Sequence, residues 1–462
     1  MDQGFLKRLM AATAVAAAMI GAPVMASAET LADALVLAYR NSNLLEQNRA
    51  TLRAADEDVA QAVAALRPVL QWSAGYNYSK SNTNTGSTAS RDLQTASAQL
   101  AASMTLYDFG RNRLSLDMTK ETVLSTREAL RGIEQTVLLS AIQAYTQVKS
   151  TAEQVSINEN SVRVYGEELK AARDRFEVGE VTRTDVSQAE AAEASARASL
   201  AAARGNYQIA REAYRAAVGQ YPGTLAALPK APQLPASLDA ARTTAERNHP
   251  SVKQAQFNVT VAELSVQAAA AQRLPEISGS AGFGNTEGGR QTTSAGISLS
   301  QTLYSGGQLS SLHRQAIANR ERAKATLRQA AVEISNTTAQ SWAMIDVYRA
   351  QIQAYAEQIS AAEVAYQGVR QEATLGSRTT LDVLDAEQDL LDARAARITA
   401  EADLQVGYYQ LLSSMGLLTV QDLKLGIPTY DPAAYYNAVR NAPGTSLQGK
   451  SLDRVLKAIG KP

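Results

Sequence analysis

VGEVTRTDVSQAE (residues 178–190) and LGSRTTLDVLDAEQ (residues 375–388) are two copies of one pattern, separated by 197 positions. This shift superimposes Gly179 on Gly376, Thr182 on Thr379 and Asp185 on Asp382. In each copy an Ala-rich helical pattern runs into the glycine, which can take the left-handed conformation that ends a helix. A new helical pattern starts behind Thr-x-x-Asp, which resembles a capping box. Each copy therefore predicts a helix-turn-helix tip, and the duplication argues against two unrelated turns.

The N-terminus has the pattern of a secretory signal peptide. Lys7 and Arg8 precede an apolar run over residues 9–20, and Ala26-Ser27-Ala28 follows, so we expect residues 1–28 to be removed. No later run approaches the roughly 18 apolar residues of a transmembrane helix, so any membrane span must consist of strands. The 45 Lys and Arg residues balance 45 Asp and Glu residues, which argues against a nucleic-acid partner.

Alternation with a period of two follows Pro68 and predicts a strand hairpin at about 69–107. Trp72, Ala74 and Tyr76 share one face, while the other face carries Ser, Gly and Asn. The tract 79–91 is rich in Ser, Thr, Asn and Gly and predicts a loop. This alternation is the weak signature of an outer-membrane barrel strand, and a soluble amphipathic hairpin would explain it equally well.

A long helix is predicted over about 111–177, a stretch without proline. Apolar residues recur in it every seven positions, at Leu116, Val123, Leu130, Val137 and Ala144. This spacing is typical of a coiled coil, and 67 residues correspond to roughly 100 Å. Shorter helices predicted at 30–66 and 184–217 together match that length, so we expect them to stack end to end along the long helix.

The same plan occurs twice in the chain. The first repeat covers 29–222 with its tip at 178–184, and a Pro-rich linker follows at 223–236. The second repeat covers 237–420 and contains a hairpin at about 276–304, a helix at 238–273, a long helix at about 308–373, a tip at 374–381 and a return helix at 382–415. The tail, 421–462, belongs to neither repeat, and we expect part of it to be disordered.

Each chain supplies four membrane-type strands, and four strands cannot close a barrel. Known barrels start at eight strands, so several copies must combine, as a dimer with eight strands or a trimer with twelve. The polar strand faces favour twelve, because eight strands largely fill their own interior. The fold class predicted is an α+β membrane protein with an internal two-fold repeat, and each chain has two long and four shorter helices.

The sequence resembles the TolC family of outer-membrane factors over about residues 30–420. The resemblance rests on the Leu-Tyr-Asp/Ser-x-Gly junctions at 106–110 and 303–307, the tip motifs at 178–186 and 375–384, and the order of all these elements. It implies a homotrimer whose twelve-stranded barrel in the outer membrane, surrounded by lipid, continues into a twelve-helix periplasmic α-barrel. It further implies an exit duct, docked to a periplasmic adaptor and an inner-membrane pump or ABC exporter. The cargo would be small molecules, secreted polypeptides or both.

The resemblance also implies a gate at the tips. The family closes this end with links from an arginine and a tyrosine of the second tip to a Thr-Asp pair of the first. Here the arginine is Arg378 and the pair is Thr184-Asp185, but Ala373 occupies the tyrosine's position, so one link is missing.

Two further expectations concern the tips. Asp382 and Asp385 share a helix face and would ring the entrance with negative charge, although helix capping alone also explains Asp185 and Asp382. The residues expected to dock the adaptor are Gly179, Thr182, Gly376 and Thr379.

Two other function classes are considered from the residues alone. An enzyme has little support, because the chain has two histidines, His249 and His313, and no cysteine, so we predict no catalytic, cofactor-binding or metal site. A periplasmic or surface coiled-coil spacer fits the helices equally well. The polar strand face separates a channel from a spacer, since a spacer has no reason to duplicate it.

Overall fold

The computed structural model describes residues 28–81, 91–286 and 290–441. The predicted signal peptide except Ala28, most of the first hairpin loop, the second hairpin turn and the end of the tail lie outside these ranges. The helices are α1 (Leu31–Asn41), α2 (Asn43–Ala64), α3 (Arg111–Glu177), α4 (Arg183–Val218), α5 (Leu238–Asn248), α6 (Pro250–Ala271), α7 (Gln308–Thr374), α8 (Thr380–Ser414) and α9 (Pro432–Val439). The strands are β1 (Val69–Ser81), β2 (Arg91–Tyr107), β3 (Glu276–Thr286) and β4 (Arg290–Ser300).

The two long helices, α3 and α7, have 67 residues each, as the absence of proline predicted. In α3 the seven-residue pattern faces inward, since Leu116, Val123, Val137 and Ala144 are all buried. α3 packs against α2 over one part of its length and against α4 over another, and α7 packs likewise against α6 and α8. The expected end-to-end stacking along each long helix is therefore confirmed.

The prediction of four shorter helices was wrong, because the described chain has seven. The helices expected at 30–66 and 238–273 are each broken in two. Ser42 starts α2 by accepting a hydrogen bond from the backbone N of Leu45 at 3.2 Å. Pro250 starts α6, where its missing N–H costs nothing, and His249 caps that helix through Ser251 N. The seventh short helix, α9, lies in the tail.

The four strands form one antiparallel sheet in the order β1-β2-β3-β4. The hydrogen-bonding register places the alternating apolar and polar residues of all four strands in phase. Trp72 lies opposite Leu100, and Leu100 lies opposite Phe283. One residue further along, Ser73 lies opposite Gln99, and Gln99 lies opposite Gly284. Because directly opposite residues share a face, the apolar and polar sets continue from one repeat into the other.

The second hairpin is shorter than the 276–304 expected. Glu276, the first residue of β3, pairs with Ser300, so the residues beyond Ser300 have no partner strand. Leu303 and Tyr304 lie outside the sheet, 89% and 88% exposed.

The largest buried cluster lies where both repeats meet, around α1, α3, α4 and α8. Its fully buried side chains include Leu138, Ile142, Leu411 and Met415. Tyr214 donates to the Glu29 carboxylate at 2.6 Å, which fastens the start of the described chain to this cluster.

Part of the tail, which belongs to neither repeat by sequence, packs against the first repeat. α9 contacts α2, and Tyr435 donates a hydrogen bond to Glu57 at 2.7 Å. The expected disorder concerns residues 442–462, which are outside the described chain. No helix in the described residues is both long enough and apolar enough to cross a membrane.

Candidate functional site at the helical tips

Both tip glycines end their helices in the left-handed conformation that the sequence predicted. Gly179 has a φ of 80° and Gly376 a φ of 78°. At the first tip, Gly179 N donates to Phe176 O at 3.0 Å and Glu180 N donates to Arg175 O at 2.9 Å. This pair of bonds is the Schellman motif, which satisfies carbonyls that the helix end leaves free. The second tip repeats it through Gly376 N and Ser377 N, onto Ala373 O and Glu372 O.

Each return helix begins with the predicted capping box. Asp185 N donates to Thr182 Oγ1 at 3.3 Å, and Thr182 N donates to Asp185 Oδ2 at 2.8 Å. Thr379 and Asp382 repeat this reciprocal pair at 3.2 and 2.8 Å. These hydrogen bonds lower the pKa of Asp185 and of Asp382 below the ordinary value, so both stay ionised at neutral pH. Helix capping therefore accounts for the position of both acids within one chain.

Arg378 has an acidic partner in its own tip. Its Nε donates to Glu372 Oε2 at 2.9 Å, and both side chains are half exposed. Sequence reasoning missed Glu372 because the residue ends the preceding helix, whereas the resemblance directed attention to the other tip. Within one chain the partner of Arg378 is thus Glu372, while Thr184 and Asp185 lie on the first tip. Thr184 is exposed.

Ala373, at the position of the missing tyrosine, is buried between α7 and α8. It packs with Val383 and Leu390 of α8 and with Tyr366, one heptad earlier on α7. An alanine here allows the two helices to approach closely just above the tip.

Asp385 is exposed on α8, whereas Asp382 is half buried by its role as a cap. One of the two predicted ring acids therefore has a carboxylate free for other contacts. The part of the chain that the structure describes holds no cluster of His, Asp and Glu side chains arranged to bind a metal ion.

Two exposed apolar residues at the tips were missed from sequence. Val178 is 71% exposed and Leu375 is 84% exposed, and each directly precedes a tip glycine. The signal was readable, since these residues occupy equivalent positions in the duplicated motif. Each tip thus presents a highly exposed apolar side chain, a left-handed glycine and a capped helix start at the end of a rod.

The opposite ends of the long helices are built by the duplicated junctions. Phe109 and Gly110 both have positive φ, at 54° and 86°, and Gly306 and Gly307 repeat this geometry at 60° and 88°. In the first junction Asp108 accepts from Gly110 N at 3.0 Å and from Asn112 N at 2.7 Å. The two positive-φ residues turn each strand sharply into its helix, so the sheet and the tips lie at opposite ends of α3 and α7.

The sequence profile of the family described as "Outer membrane efflux protein" matches residues 34–220 and 241–417. These two segments cover most of both repeats, including the two tips.

Individual proteins show the same similarity. Outer membrane efflux protein BepC of Brucella suis biovar 1 is 34% identical over 443 residues, covering 94% of this chain and 96% of BepC. Outer membrane protein TolC of Escherichia coli K12 is 26% identical over 425 residues, covering 85% of this chain and 84% of TolC.

A solved structure has the same fold. The CusC structure, whose description concerns folding and transmembrane channel formation, superimposes with a TM-score of 0.75 at 19% identity. The match covers 83% of this chain and 91% of CusC. At this identity the likeness concerns the fold alone.

Proposed function

Because this chain belongs to the family of outer membrane efflux proteins, we propose that it is the outer-membrane exit duct of an export machine. In this role the sheet lies in the outer membrane and the helical rod extends into the periplasm. Three copies supply twelve strands and six long helices with their stacked partners. The alignment of the sheet carries the proposal, because apolar residues of the four strands share one face. One row on that face, Leu70, Ala102, Ala281 and Ala295, is apolar on every strand.

The same alignment supports closure by copies of this chain. β1 and β4 are the two edges of the described sheet, and each needs a partner strand because an open edge is not tolerated in lipid. In the single chain Trp72 is 70% exposed and Ile297 is 76% exposed. Placed in a closed barrel, the apolar rows face lipid and the polar rows face a water-filled lumen.

The proposed partners dock at the tips. We assign the tip surface as the docking site for the helical hairpins of a periplasmic adaptor. This surface is formed by Gly179, Thr182, Gly376 and Thr379, together with Val178 and Leu375. The observation that supports this assignment is the pair of exposed apolar residues at the end of a rod about 100 Å long. An inner-membrane pump or ABC exporter then delivers cargo through the adaptor.

The same tips close the channel. In the trimer, Arg378 of one chain faces Thr184 and Asp185 of its neighbour, and Glu372 competes for the same guanidinium from within its own tip. This competition, together with Ala373 at the tyrosine position, makes the closed state weaker than two intact links would. Asp385 lines the entrance with negative charge.

Conductance in planar bilayers tests this function. Purified protein should give discrete open-channel steps, because a water-filled duct conducts ions. A coiled-coil spacer, the second function class, would give none, and that result would reject the proposal. Export of a fluorescent drug and of a type I secreted polypeptide, measured in a deletion strain that carries this chain, would then separate the two cargo classes.

A further inference from the structure

Residues 419–441, which we call the strap, cross from the end of the second repeat onto the first. Hydrogen bonds to three helices of the first repeat help to hold the strap. Val420 N donates to Glu134 at 2.8 Å, Tyr430 N donates to Tyr39 Oη at 3.2 Å, and Tyr435 donates to Glu57 at 2.7 Å. The strap thus fastens the C-terminal part of the described chain to α1, α2 and α3.

Stacked arginines reinforce this contact. The Arg49 guanidinium lies 5.0 Å from the ring centre of Tyr39 and 5.2 Å from that of Tyr430. Arg127 of α3 lies 5.1 Å from the ring centre of Tyr436 in α9. These cation–π contacts add to apolar packing, since Tyr430 and Tyr436 also pack against the buried cluster that contains Val59 of α2.

Asp56 of α2 lies beneath the strap and is completely buried. Neither carboxylate oxygen has a hydrogen bond from any residue that the structure describes. Within the same limits, Arg127 Nε and Nη2 also lack partners, although Arg127 attracts Asp56 electrostatically. An ionised carboxylate in such surroundings is strongly disfavoured, whereas a protonated one is much less so.

We propose that Asp56 makes the strap acid-sensitive, so that protonation lets the strap close on α2 and ionisation loosens it. Tyr430 and Tyr435 of the strap both lie within electrostatic reach of Asp56. A cavity of about 270 Å³ lies between Arg127 of α3 and Tyr430 of the strap, so the contact between the strap and the first repeat is incompletely packed. The sensor is therefore on α2 and the moving part is the strap.

The direction of the effect follows from the pKa. Burial raises the pKa of Asp56 to about 6, against the opposing effect of Arg127. With the strap open, water restores the ordinary value of about 4. Opening is therefore least favourable below about pH 4, becomes easier as the pH rises to 6, and changes little above that.

Other charged groups surround Asp56. Arg53 and Glu57 of α2, Arg127 of α3, and Tyr430 and Tyr435 of the strap act on it or on each other. Further along α3, burial also raises the pKa of Glu134, which makes Glu134 the competing sensor. Burial, together with the charge of Arg131, lowers the pKa of His249 to about 4, so His249 changes charge at the lower end of this pH range.

Hydrogen exchange of residues 430–441, measured by mass spectrometry on the full-length protein at pH 4.5 and pH 7, tests the proposal. Protection factors are corrected for the intrinsic exchange rate at each pH. In the parent protein, protection should fall by tenfold or more as the pH rises, since two pKa units correspond to at most about a hundredfold. Asp56→Asn should remain protected at both values, because the amide cannot ionise.

Two further variants complete the test. Glu134→Gln should keep the pH dependence of the parent, and Arg127→Gln should move its midpoint to higher pH by removing the cation that favours ionised Asp56. A parent strap equally protected at both values would overturn the proposal. An Asp56→Asn variant with the pH dependence of the parent would also overturn it. So would a Glu134→Gln variant that has lost this pH dependence. If Asp56→Asn does not fold, the pH midpoint of protection in the Arg127→Gln variant tests the proposal instead.

Discussion

In the proposed gate, single residues at each tip have two roles. They let the backbone turn between two helices, and they form a surface that can open and close. Gly179 and Gly376 supply the turn through positive φ, and in both cases no atom lies within 4 Å of where a Cβ would stand. Substitution there strains the backbone without creating a clash. This makes it possible to perturb the tip without perturbing the fold.

Gly376→Leu should reduce export while the protein still assembles and inserts. The expected strain is about 1 kcal/mol, because a leucine disfavours the left-handed conformation. Gly368→Leu is the matched control, since Gly368 has the same free space in ordinary helical backbone of α7. Drug export in cells is the measurement, and equal export by the two variants would argue against docking at this turn.

Arg378→Ala should raise the open probability of single channels. An exposed ion pair contributes little to stability, so in the proposed trimer three symmetric copies hold the closed state only weakly. The control is Arg320→Ala, which removes another exposed pair of α7, with Glu321. The open probability is measured in planar bilayers at low salt, where charge screening is weakest. If both variants conduct like the parent, Arg378 is not part of the gate.

At the scale of secondary-structure elements, the end of α8 lies in close contact with the break between α5 and α6. Gly416 has a φ of 75°, and a Cβ there would lie 2.7 Å from Asn248 O, at the break between α5 and α6. The neighbouring atoms are backbone and cannot rotate away. The end of α8 and the break in the other helix pair are therefore fitted to each other.

Gly416→Ala should destabilise the protein by about 2 to 4 kcal/mol, from overpacking together with the φ penalty. Gly426→Ala should cost only about 1 kcal/mol, because Gly426 has positive φ but open space around it. Thermal unfolding in detergent compares the two variants. Similar melting temperatures would show that the contact with Asn248 is unimportant.

Whole-molecule behaviour depends on how copies combine. The described sheet has two edge strands and exposes large apolar side chains on β1 and β4, including Trp72 and Leu299. Native mass spectrometry in detergent should show three copies as the main species, because twelve strands are needed to enclose a wet lumen. A monomer or a dimer as the main species would contradict the proposed architecture.

Asp385→Ala should lower the cation selectivity of the open channel without changing assembly. In the proposed trimer, three copies of the exposed Asp385 add negative charge at the entrance, whereas Asp382 is occupied as a helix cap. Reversal potentials in a salt gradient measure the change. Asp389→Ala is the comparison, since Asp389 is also exposed and lies one turn further along α8. Equal effects of the two variants would show that the position of Asp385 gives its charge no special influence on cation selectivity.

The sequence by itself determined the features that depend on neighbours along the chain. The tips follow from Gly and Thr-x-x-Asp, because positive φ and capping involve residues only a few positions apart. The long helices follow from the absence of proline and from heptads such as Leu116 and Val123. The duplicated junctions and the alternation of the strands are local for the same reason.

Only the tertiary structure decided which distant groups meet. β2 pairs with β3 across the two repeats, and the strap lies on α2. The partner of Arg378 within its own chain is local, but Glu372 and Asp382 flank the same turn, and only the conformation of that turn selects Glu372. Asp56 gives the same lesson, since an aspartate among polar neighbours in the sequence is expected to be solvated. Its burial depends on a segment more than 360 residues further along the chain, and local pattern contains no information about that contact.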